Sequence, residues 1–306
     1  MENQTKEYIL VFTGLTDLPE LQLPLFCMFL LIYLVTLTGN LLILLLIFTD
    51  SHLHTPMYFF LGTLACLDMS YSSVTVPRML FDLLTGRRVI SVPACITQIY
   101  LFVFCAVSEM SVLAVMSYDR YLAICRPLHY MQIMSWKVCV QLISGMLVFG
   151  SVYALLHTFS LTNLMFCSSH DLQSFFCDLP QLLEASCSDT FINVLLIFLS
   201  GICYGVVILG VTFYPYITII STILKISSKH TRSKAFYTCS SHLTAVFIFY
   251  STSFFNYFHL NTNEQHAQDK IASVFYAILI PFLNPLIYSL RNKELKIALR
   301  RALQRL

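Results

Sequence analysis

Seven apolar runs, separated by polar or charged segments, occupy about 23–48, 57–80, 95–118, 138–160, 191–224, 236–259 and 271–290. A helix rising 1.5 Å per residue needs about 20 residues to cross roughly 30 Å of hydrocarbon, and each run meets that length. The pattern predicts seven transmembrane helices. The first run, Leu23 to Phe48, is uncharged, exceeds a signal-peptide core and follows no Ala-x-Ala-like site, so it is expected to remain as an anchor. Past the last run, Leu295, Leu299, Ala302, Leu303 and Leu306 recur at helical spacing between Lys296, Arg300, Arg301 and Arg305. That predicts a short amphipathic helix suited to an anionic leaflet, and without a cysteine it has no site for a palmitoyl anchor.

Basic residues in alternate loops set the orientation of such a bundle. Thirteen fall on one side: Arg120, Arg126, Lys137, Lys225, Lys229, Arg232, Lys234, Arg291, Lys293, Lys296, Arg300, Arg301 and Arg305. Only Lys6, Arg78, Arg87, Arg88 and Lys270 fall on the other. The excess predicts an external N-terminus and a cytosolic C-terminus. Asn3-Gln4-Thr5 then becomes a glycosylation acceptor on the external side, and the polar stretch Leu260 to Lys270 an external loop. The expected organisation is one domain over 1–306, with an external segment 1–22, a helical bundle 23–290 and a cytosolic amphipathic helix 291–306.

Composition narrows the classes further. Hydrophobic residues make up 57% of the chain and charged residues 11%, less than half the soluble norm of about 25%. The apolar excess needs a lipid bilayer as its partner, and a formal charge of only +2 excludes a basic nucleic-acid binder. The small net charge conceals opposite faces, because most bases lie on the cytosolic side and most acids on the external one.

Eleven cysteines leave at least one unpaired within a single chain. Cys95, Cys167, Cys177 and Cys187 fall on the oxidising side, enough for two disulfides, with the pairing open. Metal binding is the rival reading, and no Cys-x-x-Cys spacing supports it. Cys27, Cys66, Cys105, Cys125, Cys139, Cys203 and Cys239 lie in the spans or at the cytosolic face, where thiols behave as small hydrophobes.

Local motifs decide what kind of seven-helix protein this is. The third span ends in Met116-Ser117-Tyr118-Asp119-Arg120-Tyr121-Leu122-Ala123-Ile124-Cys125, followed by Arg126-Pro127-Leu128-His129-Tyr130. The second span opens with Leu53-His54-Thr55-Pro56-Met57-Tyr58-Phe59-Phe60-Leu61, and Lys234-Ala235-Phe236-Tyr237-Thr238-Cys239-Ser240-Ser241-His242-Leu243 opens the sixth. Pro281-Phe282-Leu283-Asn284-Pro285-Leu286-Ile287-Tyr288 closes the seventh, and Gly39-Asn40 marks the first. This ordered set closely resembles the vertebrate olfactory receptors within the rhodopsin-like G-protein-coupled receptors. Three positions depart from the family pattern: Pro215 where serine is usual, Tyr237 where serine is usual, and Ser251 where glycine is usual. Pro215 is expected to kink its helix, because it lacks a backbone donor and crowds the carbonyl of Val211.

The resemblance implies an all-α seven-helix receptor for a small odorant, coupled to a heterotrimeric G protein of the stimulatory, olfactory type that raises cyclic AMP. It implies plasma-membrane residence, in cilia of olfactory neurons. It pairs Cys95 with Cys177 and Cys167 with Cys187. Asp119, Arg120, Tyr121, Tyr216, His242 and Tyr288 become the switch, with Arg120 held by Asp119 at rest and contacting the G protein when active. Asp68 and Glu109 lie inside spans, where an ionised carboxylate costs at least about 2.5 kcal/mol, so they need partners. By the same resemblance they meet Asn284 in the core, forming a site for a shared proton or Na+. A protonated structural pair is the simpler alternative.

A cavity among the third, fifth, sixth and seventh spans is expected to be lined by Phe102, Val103, Ala106, Val107, Ser200 and Tyr204. Ser253, Phe254, Tyr257, Val274 and Ala277 complete the wall, with Tyr250 as its floor. These residues are mostly apolar with a few hydroxyls, which suits an alcohol, ester, ketone or aromatic; each of them alone also reads as helix-packing core. Phe102 stands where aminergic receptors carry an aspartate, and no lysine lies between Lys270 and Lys293 to form a retinal Schiff base. No Ser-His-Asp order, Walker loop or His-Glu-x-x-His motif points to an enzyme, and no cofactor or metal is expected beyond that Na+. The alternatives are a receptor of the same fold sensing a metabolite outside the nose, or a transporter or channel. The latter predicts inverted repeats or paired broken helices, and the chain has neither.

Overall fold

The computed structural model describes residues 9–166, 171–225, 227–258, 270–271 and 273–305, without the side chains of 171, 230–231, 234–238, 241, 252–258, 289–291 and 305. Asn3 and Cys167 therefore lie outside the described residues, as do the side chains of Tyr237, Ser253, Phe254 and Tyr257.

Five helices among the described residues are long and apolar enough to cross a membrane. They are α1 (Pro19–Thr49), α2 (Pro56–Thr85), α3 (Val92–Cys125), α5 (Trp136–Leu161) and α7 (Phe191–Leu224). The sixth run is α8 (Lys229–Phe258). The seventh comprises a π turn, Phe275–Leu279, leading into α9 (Ile280–Arg291), and α10 (Lys293–Arg305) follows. Two short helices lie in loops, α4 (Tyr130–Ile133) and α6 (Leu179–Glu184).

Two helices outrun their apolar stretches. α3 continues past residue 118 through Asp119 and Arg120, whose charges turn inward and are buried, and α8 begins at the exposed Lys229, ahead of the run at 236. Prolines mark five starts, at the first or second position of α1, α2, α3, α6 and α9, where the missing N–H costs nothing. α3 runs through the centre, packed by α2, α5 and α7. α7 shows most of its apolar surface outward, with Ile192 75% and Leu224 68% exposed, as a lipid-facing helix requires. The chain is a multi-pass membrane protein.

α1 and α9 meet closely because Gly39 has no side chain. A Cβ there would sit 3.3 Å from Pro285 Cβ. Pro285 cannot donate to the carbonyl of Pro281, and Asn40 Nδ2 reaches that oxygen instead at 3.5 Å while also donating to Thr36 O at 3.0 Å. The Gly39-Asn40 pair thus repairs a backbone defect 241 residues away in sequence.

One end of the bundle carries a small sheet that the sequence pattern did not predict. Its order is β2 (Val89–Ser91), β1 (Ile9–Phe12), β3 (Asp171–Leu172), with β1 antiparallel to β2 and parallel to β3. β1 alternates, burying Leu10 and Phe12, but four residues are too few for a periodic signal. The turn after β1 wraps Arg88: its guanidinium pairs with Asp17 at 2.7 Å and donates to Thr13 O and Thr16 O. Gly14 has φ +73°, and a Cβ on it would lie 3.0 Å from that guanidinium. We call this the lid end and the opposite one the Arg120 end.

Candidate functional site

The polar side chains inside the bundle fall into three groups along its axis. In the middle, Asp68 from α2, Glu109 from α3 and Asn284 from α9 are all buried. Asn284 spends both amide hydrogens on them, donating to Asp68 Oδ1 at 2.9 Å and Glu109 Oε1 at 3.0 Å. The two carboxyls also lie within hydrogen-bonding reach of each other, a contact that needs a proton between them. Two adjacent carboxyls in a low dielectric cannot both hold full charge without a compensating proton or cation.

At the Arg120 end, α3 delivers Asp119 and Arg120 into the interior. Asp119 has a different partner from the one expected: its Oδ1 accepts from Tyr130 Oη of α4 at 2.8 Å, and no Asp119–Arg120 ion pair occurs among the described residues. Arg120 is buried within electrostatic reach of Tyr58, Tyr216, His242 and Tyr288, and its Nη2 has no partner. Tyr216 and His242 hydrogen-bond to each other, while Tyr288 Oη also lacks a partner among the described residues. Beyond them Tyr216, Ile219, Ile223 and Cys239 form an apolar cluster against Tyr121 and Leu243, joining α3, α7 and α8. α7 continues as helix through Pro215, and Ser251 donates to Ile248 O at 3.1 Å.

Toward the lid end the expected cavity residues divide. Phe102 packs among Tyr71, Phe176 and Tyr276, with ring centroids 4.9, 5.2 and 5.7 Å away. Ser200 bonds to His157 Nε2 at 3.1 Å and to Tyr153 Oη at 3.2 Å. Tyr204 donates to Val107 O and bonds Ser111 Oγ, both at 3.0 Å, so this hydroxyl already ties α7 to α3. Tyr250 bonds Thr212 at 3.0 Å. Val103, Val107 and Ala277 are buried, and Ala106 and Val274 are half-buried.

Over this end lies the segment after β3. Cys177 is disulfide-bonded to Cys95 at the start of α3, with Cα atoms 5.4 Å apart. Cys187 is also disulfide-bonded, with its expected partner Cys167 outside the described residues. Gln98 accepts from the Cys177 N–H at 2.9 Å and donates to Val74 O at 2.9 Å. Asp178 accepts from Leu179 N at 2.7 Å and from Tyr276 Oη at 2.8 Å, and burial pushes its carboxyl above the usual carboxylate range despite those bonds. Gln98, Asp178 and Tyr276 escaped sequence reasoning. Asp178 follows a cysteine, a hint of tethering, but nothing local says the loop turns it inward.

The olfactory receptor family model matches residues 29–305. The chain belongs to the olfactory receptor family. The receptor is 48% identical to human olfactory receptor 5B12 over 98% of its own length and 96% of that relative's. It is 47% identical to human olfactory receptor 5B21 over 100% of this chain and 99% of the relative, and 48% identical to mouse olfactory receptor 5AR1 over 98% and 97%. It is accordingly a receptor and not an enzyme, and odorants and G proteins are the partners of its family.

Proposed function

We propose that this receptor binds a small, weakly polar odorant beneath the lid end and activates a stimulatory, olfactory-type G protein at the Arg120 end, raising cyclic AMP. The lid end faces outward, 1–22 is external and 291–306 cytosolic, and the receptor works at the plasma membrane of olfactory cilia. The observation that carries the reading is the buried Arg120, with an uncommitted Nη2 beside the Tyr216–His242 pair and Tyr288. Donors left unpaired in a low dielectric are costly and gain from any acceptor that opening admits.

The ligand wall is Phe102, Val103, Ala106, Val107, Ser200, Tyr204, Tyr250, Ser253, Phe254, Tyr257, Val274 and Ala277. Asp68, Glu109 and Asn284 hold a shared proton or Na+, and what supports this is the approach of two buried carboxyls around one asparagine. Asn3 carries the glycan, and Cys167 pairs with Cys187. α10 lies on the anionic inner leaflet, supported by exposed Leu303 beside Arg300 and Arg301.

Ligand size sets the expected response. About a dozen heavy atoms gain about 4–8 kcal/mol, whereas inverting a resting population from 1:99 to 99:1 needs about 5.5 kcal/mol of differential binding. Micromolar potency and frequent partial agonism follow. The test is an odorant panel read by cyclic AMP in cells expressing wild type or Arg120→Ala. Equal responses from the two would refute the mechanism, and so would a nanomolar peptide agonist.

A further inference from the structure

The lid segment carries a buried acid that the proposed signalling mechanism does not use. Phe176 and Cys177 are fully buried and Asp178 is 7% exposed. On one side the segment is fixed to α3, by the Cys95–Cys177 bond and by Gln98. On the other, Asp178 divides its oxygens: Oδ1 accepts from Leu179 N at the start of α6, and Oδ2 accepts from Tyr276 Oη. Tyr276 is the second residue of the π turn Phe275–Leu279, and the helix running on from that turn carries Asn284 to the Asp68 and Glu109 carboxyls.

A π turn holds one more residue than an α turn, and such turns recur at functional positions in helices. Resolving it into α-helix would rotate the chain beyond it by about one residue, roughly 100°. Asn284 could not then keep both of its bonds. The Tyr276 ring also packs on Phe102 at 5.7 Å and Phe176 at 6.1 Å, so a ligand pressing on either aromatic side chain presses on the turn.

We propose that the Asp178–Tyr276 hydrogen bond is a latch holding this π turn in register, through which displacement of the lid reaches Asn284 and the paired carboxyls. Asp178 and Tyr276 are positioning residues, and only the signalling consequence of the latch rests on the receptor reading above.

The test is hydrogen exchange on the full-length receptor in lipid nanodiscs, comparing wild type with Tyr276→Phe, Asp178→Ala and Asp178→Asn. Tyr276→Phe removes only the hydroxyl, and Asp178→Asn keeps an acceptor for it. Tyr276→Phe and Asp178→Ala are expected to speed exchange over 275–288 about fivefold, the equivalent of one hydrogen bond, with Asp178→Asn close to wild type. Faster exchange confined to 171–184, equal effects of Ala and Asn, or failure of Tyr276→Phe to reach the membrane would each overturn the latch. In cells, Tyr276→Phe should shift unstimulated cyclic AMP by a similar factor at equal surface expression. Unchanged cyclic AMP alongside the expected exchange result would refute the signalling reading and leave the latch standing.

Discussion

Tyr130 donates its hydroxyl hydrogen to Asp119 at 2.8 Å, so the carboxylate that feels the Arg120 charge takes its hydrogen bond from the segment after α3. Removing that hydroxyl with Tyr130→Phe frees Asp119 to pair with Arg120. A hydrogen bond to a charged group contributes about 1.5–3 kcal/mol, so unstimulated cyclic AMP should fall at least several-fold. Surface receptor counted by antibody should stay unchanged. A rise in basal signal would contradict the assignment.

Asp68 and Glu109 share one asparagine, and neutralising either removes the need for a shared proton or cation while keeping shape. Asp68→Asn and Glu109→Gln are each expected to shift basal and odorant-driven cyclic AMP, and to abolish any dependence of signalling on Na+. If both variants signal like wild type, the site is only structural.

Gly14 combines a left-handed backbone with an arginine against its missing side chain. Gly14→Ala pays about 1–2 kcal/mol for the backbone alone and displaces Arg88 from its ring of acceptors. The expected result is a lower melting temperature for the solubilised receptor, whereas Gly145→Ala, with open space around its Cβ, should be neutral or stabilising.

Asp50 binds α10 to the rest of the receptor. It accepts from His52 N–H at 3.0 Å and from Arg301 Nη1 at 3.1 Å, and the hydrogen bonds from His52, then the Arg301 charge, hold its carboxyl down at about 2. A depressed carboxylate contributes stability above its ordinary value of 3.8 and loses it as pH falls through about 2. Exchange protection of 293–305 should therefore be flat from pH 8 to 4 and drop below that, with Arg301→Ala losing part of it at every pH. A drop that begins above pH 4 would contradict the assignment to Asp50.

Legibility varied with the range of the interaction. The seven spans could be read because each needs only its own run of apolar residues, and the olfactory-receptor motifs could be read because they are contiguous. Charged helix ends such as Asp119 and Arg120 were underestimated by hydropathy, since an interior-facing charge ends an apolar run without ending the helix. β1 was invisible: its four residues acquire strand geometry only from Val89 and Asp171, which are distant in the chain. Ser200 and Tyr204 read from the sequence as cavity hydroxyls, but which partner each takes depends on how α7 faces α5 and α3.

By itself, then, the sequence determined that this chain is a multi-pass membrane protein that belongs among the olfactory receptors, because lipid forces every span to satisfy its own backbone locally. Tertiary structure alone decided that Tyr130 takes Asp119 and that Gly39 and Asn40 repair the proline-broken backbone of α9. It also decided that a carboxylate from the lid, Asp178, enters the bundle to meet Tyr276. These are contacts between side chains far apart in the chain, and their free energy depends on distance and burial that only the packed helices define.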